Sequence, residues 1–335
     1  MARDHVEYLI AQELNRFPLM NNGLSTGIRV AELSRDHETG AVSYYGSIGP
    51  QWIRRESGYY DCDTEILIVE GDLEIGETRL SGGDYTYFPA GCLQGPAFTD
   101  NGCKLFMLFE GKPIFIHATN NRDNVREELK IDKIEVKSIP WEPPPSHEGR
   151  PASEAPPGLG IKYLRVDPNT QGYTILTKQP EGWFDPKLEK HSIWEELILL
   201  DGDYLMGKMG KVGAGTYIFR DGSIAHGPQV SKHGCVWFAK GPGAIDFDYE
   251  EEDDPYINPE EASKMLIPSK RIESMHAYMV GISYGLNPVI LIAPALSAGI
   301  YSDPVVIGLE ISDSEHLGIW EKERRENYAV HHKTG

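Results

Sequence analysis

Cysteine is scarce in this chain. Only Cys62, Cys92, Cys103 and Cys235 occur in 335 residues, none in a C-x-x-C pair, which excludes a disulfide scaffold. Basic charge is also in deficit: 32 Lys and Arg face 51 Asp and Glu, a formal net charge of −19. Such a field repels phosphate backbones and anionic lipid, so neither nucleic acid nor a membrane surface is expected as a partner. The opening "MARDHVEYLIAQELNRF" is charged throughout and lacks an apolar core followed by a small-residue cleavage site. With so few cysteines, this places the protein in the cytoplasm. Charge is missing altogether from Ala277 to Ser302, a stretch long enough on length alone to span a bilayer. Pro288, Pro294 and several glycines interrupt it, which favours buried strands and turns over a membrane helix.

What is present is a long-range repeat. The length suits two domains, and 40 % hydrophobic residues supply enough apolar surface for two cores. "GPQWIRRESGYYDCDTEILIVEGDLEIG" (49–76) matches "PEGWFDPKLEKHSIWEELILLDGDYLMG" (180–207) at one constant offset, pairing Trp52 with Trp183, Glu65 with Glu196, Gly71 with Gly202 and Asp72 with Asp203. Further on, 82–106 matches 213–238 with one inserted residue, pairing Gly95-Pro96 with Gly227-Pro228 and Gly102-Cys103 with Gly234-Cys235.

Each copy is built from short runs such as "EILIVEG", "YTYFPAG", "ELILLDGD" and "CVWFAKG", rich in β-branched and aromatic residues and closed by Gly, Asp or Pro. This spacing predicts an all-β sandwich or barrel rather than βαβ units. Between the copies, 139–160 holds seven prolines and reads as an extended connector. The expected organisation is therefore a first unit at 1–138, a Pro-rich linker at 139–160, a second unit at 161–250 and an extension at 251–335 packing on the second unit or on a partner subunit. A few short helices are expected: an amphipathic one within 1–20, and "PEEASKM" (259–265), which begins with Pro and acids.

These residues resemble the cupin superfamily, and specifically a bicupin. The cupin pattern is His-x-His, a few residues, Glu, six residues and Gly, then Gly, Pro-x-Gly and His. In the second copy Glu189-x-His191-x-x-x-Glu195 followed by Gly202 reproduces the first motif, with Glu189 where the first His is usual. Gly215, Arg220-Asp221-Gly222 and His226 resemble the second motif, with Arg in place of Pro and one residue added. In the first copy Pro89-Ala90-Gly91 keeps the turn, but Gln94 stands at the His position. The resemblance implies two tandem antiparallel β-barrels of jelly-roll type, with any metal inside a barrel. Proteins of that fold include dioxygenases, decarboxylases, isomerases, cyclases and plain binding proteins, so fold alone does not name the reaction.

Alternation along a strand puts Glu189, His191, Ile193 and Glu195 on one face and Lys190, Ser192, Trp194 and Glu196 on the other. If Leu197 and Leu199 continue inward, Glu195 points inward with them and Glu196 does not. His226 would complete a set of two imidazoles and one or two carboxylates, suited to one divalent ion: Fe(II) first, then Mn(II), Zn(II) or Ni(II). The first copy offers Gly58, Tyr60, Cys62, Thr64 and Gln94 at the same positions, with no imidazole or carboxylate. It is expected to be structural or at most a neutral pocket, with Asp61, Asp63 and Glu65 outside it, solvated or paired. The bland alternative for the second copy is a hydrated barrel mouth. Against it, the copy that has His191 also has His226, and the copy lacking one lacks the other.

Several weaker signals are expected to be structural. "GKMGKVGAG" (207–215) is followed by strand signals and should be a hairpin turn, not a nucleotide loop. Cys103 and Cys235 should be buried, His331 and His332 lie in a polar tail, and Trp52 and Trp183 should be repeated core anchors. Tyr60, Trp194 and Arg220 are expected near the site, where aromatic lining and a cation suit a small, partly apolar, anionic substrate.

The leading expectation is a metal-dependent enzyme acting on a small oxygen-bearing molecule, with His191, Glu195 and His226 as ligands, Glu189 as fourth ligand or general base, and Arg220 beside them. A dioxygenase is first. The alternatives are a redox-neutral lyase, isomerase or cyclase, or a non-catalytic small-molecule-binding cupin. A homodimer is expected by analogy with cupins.

Overall fold

The strand-rich runs form strands, and their pairing is antiparallel, with the central strands joined to partners distant in the chain. The computed structural model describes residues 3–144, 158–185, 188–206, 210–244, 246, 248–250, 288–292 and 305–309. One large sheet runs in the order Ile131–Glu135, Asp84–Phe88, Thr64–Ile75, Cys103–Phe109, Val42–Ile48, Leu24–Arg35 and Phe17–Asn21. The other runs Val6–Ile10, Thr216–Arg220, Glu195–Met206, Cys235–Gly241, Tyr173–Gln179 and Gly160–Val166. Six strands correspond in order, Phe17–Asn21 at the edge of the first sheet having no counterpart in the second order, so the sequence repeat is a repeat of topology.

Register fixes the correspondence residue by residue. Thr64 pairs with Phe88 in the first half, and Glu195 pairs with Arg220 in the second. Gly58 bridges Gln94, as Glu189 bridges His226. The inserted residue of the second copy therefore falls before Thr216–Arg220. Arg220 is the counterpart of Phe88, the last residue of its strand, and not of the turn residue Pro89 as sequence matching suggested. Gly71 and Gly202 close the same corner: both have positive φ (80° and 87°), and a Cβ on either would lie 2.0 Å from the carbonyl oxygen of Gly102 or Gly234. Only glycine fits where one strand passes so close to its neighbour's backbone.

The amphipathic helix expected within 1–20 does not form. The chain there makes strand Val6–Ile10, a single 3-10 turn at Ala11–Glu13 and strand Phe17–Asn21. Val6–Ile10 pairs with Thr216–Arg220 of the second half, and Ile131–Glu135, which precedes the second half, pairs with Asp84–Phe88 of the first. Each is followed by a 3-10 turn whose first amide donates to an equivalent glycine, Ala11 to the carbonyl of Gly215 and Val136 to that of Gly83. The halves thus exchange their leading strands. The first strand belongs to the second half's sheet, so the unit expected at 1–138 is not self-contained.

Three cores result. Ile28, Val30, Ile66, Ile68, Leu105 and Met107 fill the first half, and Leu199, Tyr204, Ile218 and Trp237 fill the second. Between the halves, Leu67, Tyr85, Phe106 and Leu108 interleave with Ile198, Tyr217, Phe219 and Phe238. Burying this outer face of both sheets strips water from its polar residues, so they pair there. Glu65, expected to be solvated or paired outside, is instead 1 % exposed and accepts from Lys240 Nζ at 2.7 Å, Thr174 Oγ1 at 2.6 Å and Tyr85 Oη at 2.7 Å. Its counterpart Glu196 accepts from Arg3 at 3.0 Å and Tyr217 Oη at 2.6 Å. Asp61 and Asp63 do pair outside, with Arg122 and Arg126.

Other expectations hold where they can be followed. Gly210–Gly213 returns along Asp203–Met206 as a hairpin. The ends of the Pro-rich connector are drawn together by a Glu142–Ile161 bridge, while 145–157 lie outside the described residues. Within the uncharged stretch, Pro288–Ile292 is a strand paired with Val305–Leu309. The rest of 277–302, "PEEASKM", and His331 and His332 lie outside the described residues. No helix among the described residues is long and apolar enough to cross a membrane.

Candidate metal centre

The short strand Leu188–Lys190 carries Glu189 and delivers His191 just past its end, and the long strand Glu195–Met206 begins with Glu195. The turn after Thr216–Arg220 brings back His226, whose backbone amide and carbonyl each bond those of Glu189 at 2.9 Å. Ser223 in this turn takes φ 69°, and its amide donates to the His191 carbonyl at 2.6 Å. Two sequence-distant segments are thereby locked together by backbone, and their side chains meet inside the sheet.

The two rings lie with centroids 5.3 Å apart. His191 Nδ1 is 2.6 Å from the Asp246 carbonyl oxygen, and His226 Nδ1 is 3.0 Å from that of Ile224. A carbonyl only accepts, so it holds a proton on Nδ1 and turns Nε2 inward, the presentation a metal-ligating histidine requires; a proton on His226 Nε2 is donated to Glu189, and a metal bound there would displace it. His226 Nε2 lies 3.2 Å from Glu189 Oε1 and 3.5 Å from Glu195 Oε1, and His191 Nε2 lies 3.5 Å from Glu195 Oε2. Ligand atoms of Glu189, His191 and His226 fall within 4.8 Å of one another. Atoms sharing one ion at about 2.1 Å each sit about 3 to 4 Å apart, so this set needs little adjustment to hold a divalent metal.

Charge at the site is finely opposed. Burial pushes the Glu195 carboxyl up, but His226, Arg220 and His191 outweigh it and hold it at about 2. Burial likewise raises Glu189, and its hydrogen bond and attraction to His226 bring it below the usual range. Burial lowers His226, while Glu195 and Glu189 more than reverse this and raise it. Two carboxylates withdrawn from bulk water call for positive charge, which Arg220 and His226 supply here.

All four expected donors, Glu189, His191, Glu195 and His226, therefore come together, and Arg220 joins them: its Nη1 donates to Glu195 Oε1 at 2.7 Å. The aromatic expectations fare differently. Trp194 stacks on Phe219 in the core between the halves, Tyr60 packs against Phe109 and Phe115 in the first half, and Trp183 is a core residue. Three residues escaped sequence reasoning. Asp246 supplies the carbonyl beside His191, and its carboxylate accepts from the Ser192 amide. Gln229 donates from Nε2 to Glu189 Oε1, and Tyr204 donates from its hydroxyl to Gln229 Oε1. Their counterparts in the first half are Ala97 and Leu73, and that polar-for-apolar exchange at the repeat offset is the signal that could have found them.

In the first half the equivalent space is closed by packing. A Cβ on Gly58, where Glu189 stands in the second half, would lie 2.2 Å from the Ile116 carbonyl oxygen and 2.6 Å from the Phe115 ring. Gln94 and Cys62 are buried.

The fold is shared with solved structures of low sequence identity. The chain belongs to the family described as a domain of unknown function, DUF4437, whose model matches residues 11–247. No match was found among the curated proteins. Among solved structures, the chain is similar to one described as a "putative dioxygenase" from Nostoc punctiforme, at 17 % identity and a TM-score of 0.63, covering 71 % of this chain and 82 % of that one. It is also similar to oxalate decarboxylase from Lactobacillus farciminis, at 10 % identity and a TM-score of 0.48, covering 79 % and 97 %. Oxalate decarboxylase from Bacillus subtilis shares 12 % identity at a TM-score of 0.47, covering 74 % and 78 %.

Proposed function

We propose that the protein is a bicupin enzyme with one mononuclear divalent metal in its second half, acting on a small oxygen-bearing organic molecule, and that its reaction is a non-haem iron dioxygenation. The observation that carries this reading is the presentation of both imidazoles: each Nδ1 faces a backbone carbonyl, and each Nε2 faces the carboxylates. Two His and one carboxylate with open positions is the donor pattern of non-haem iron oxygenases. His191, His226 and a carboxylate from Glu189 or Glu195 would hold the ion, which supplies a Lewis-acid and redox centre for substrate and dioxygen.

The residues around the ion keep the site dry and charged. Arg220 and Glu195 are withdrawn from solvent and Glu189 is partly so, which strengthens their fields relative to water. The first half supports the site by exchanging strands with the second rather than by chemistry of its own. Anaerobic and aerobic turnover of small keto, hydroxy and enol compounds by iron-loaded protein, followed by oxygen consumption, tests the reaction. Uptake of oxygen with product formation, lost in His191→Ala, is expected. Equal turnover without oxygen by the Zn(II)-loaded protein would replace the dioxygenase with a redox-neutral lyase, isomerase or cyclase.

A further inference from the structure

Four donors surround the centre, but they are not equivalent. Glu195 is already engaged: its Oε1 is 2.7 Å from Arg220 Nη1, and Arg220 is 1 % exposed. The two residues face each other directly across paired strands. The two Glu195 oxygens also diverge, Oε2 towards His191 and Oε1 towards His226, each at 3.5 Å. The ligand atoms that share one small volume are those of Glu189, His191 and His226.

Glu189 is held in the opposite way, by neutral donors behind it. Tyr204 donates to Gln229, and Gln229 donates to Glu189 Oε1. An amide fixes the direction of a carboxylate while leaving its full negative charge to face an ion, as outer partners of metal ligands do. A guanidinium that donates to a carboxylate, as Arg220 does through Nη1 while its Nη2 lies against Met206 Sδ, offsets the charge of that carboxylate.

Both arrangements belong to the second half alone. Where the second half has Glu195 with Arg220, the first has Thr64 with Phe88 in the same register. Where the second half has Glu189, Gln229 and Tyr204, the first has Gly58, Ala97 and Leu73. The pair and the triad are each present together or absent together.

We infer that Glu189 is the carboxylate ligand of the metal and that Arg220 keeps Glu195 out of the coordination sphere, a division that rests on the metal reading above. The centre is then a triad of Glu189, His191 and His226. Glu195 acts as a positioning residue, its charge balanced by Arg220. An ion held by three protein ligands would keep positions free for substrate and a second small molecule. The ion retains one net positive charge after Glu189 is counted, because Glu195 and Arg220 cancel.

The test is metal affinity by chelator competition, with Co(II) and Zn(II) as probes, on the full chain, on Glu189→Gln and on Glu195→Gln/Arg220→Met, which removes both members of the pair and so leaves the charge beside the ion unchanged, each checked for fold by thermal melting. Glu189→Gln should weaken the metal at least 10-fold and change the visible Co(II) spectrum. Glu195→Gln/Arg220→Met should hold the metal within about 3-fold of the parent with its Co(II) bands unmoved. Should Glu189→Gln not fold, Glu189→Asp, which draws the oxygen back by one methylene, is expected to shift the Co(II) bands. Equal losses in both variants, a larger loss in Glu195→Gln/Arg220→Met, or no loss in either would overturn the assignment. A parent chain that takes up no Co(II) or Zn(II) at all overturns the metal reading itself, an outcome distinct from these.

Discussion

Lys240 Nζ of the second half lies 2.7 Å from Glu65 Oε1 of the first, with both side chains withdrawn from water. The pair joins two halves that also trade their leading strands, so its loss should be felt across the whole fold. Lys240→Met leaves a buried carboxylate whose remaining cation, Arg165, is 3.6 Å away. A loss of about 3 kcal/mol of unfolding free energy is expected, measured by urea denaturation. Glu65→Gln combined with Lys240→Met should recover part of that loss, because the deeply buried carboxylate goes with its cation, leaving only the more exposed Arg165 and Glu110 short of a partner.

The same carboxylate sets an acid limit. Burial pushes Glu65 up, but Lys240 and Arg165 hold it at about 2, against an ordinary value of 4.5. A carboxyl depressed in the folded state stabilises fully above its unfolded value and loses that contribution as pH falls through the folded one. Thermal stability should therefore fall steadily from about pH 4.5 towards pH 2, and Glu65→Gln should flatten that slope. A slope unchanged in Glu65→Gln would assign the acid transition to other carboxylates.

Two glycines with similar backbone angles should respond differently to alanine. Gly182 has φ 74° with no atom within 4 Å of an added Cβ, whereas Gly202 has φ 87° and a carbonyl oxygen 2.0 Å away. Gly182→Ala should cost about 1 kcal/mol from backbone conformation alone. Gly202→Ala must also displace the Gly234 backbone, and loss of soluble folded protein on expression is expected. Similar melting temperatures for the two variants would contradict the corner geometry.

The first half should be silent towards metal. Gln94→Ala, made at the position corresponding to His226, is expected to leave metal content unchanged while lowering stability, since Gln94 is buried among packed residues. A fall in metal content in this variant would place chemistry in the first half.

Much of this architecture was legible in the sequence. Trp52 with Trp183 and Gly71 with Gly202 announced the repeat, because each pair serves the same core or corner in both halves. Glu189, His191, Glu195 and His226 were legible as a group because strand alternation and a motif spacing are local properties. The exchange of Val6–Ile10 into the second half's sheet was not legible, since Val6, Leu9 and Leu14 carry an apolar spacing that serves a helix or a strand edge equally well. Arg220 was misplaced by one position because the inserted residue could be put on either side of its strand, and only the pairing of Glu195 with Arg220 fixes the register. Gln229 and Tyr204 take their meaning from Glu189, more than ten residues away in sequence, so no local pattern marks them.

The most direct test of the central claim is elemental analysis of protein purified without a histidine tag, parent against His191→Ala/His226→Ala, with both confirmed folded. About one equivalent of iron, manganese, nickel or zinc in the parent, lost in the double variant, is the predicted result. A parent that stays metal-free after reconstitution with each of these ions would contradict the account and leave Glu189, His191, Glu195 and His226 as a buried polar cluster of a binding protein.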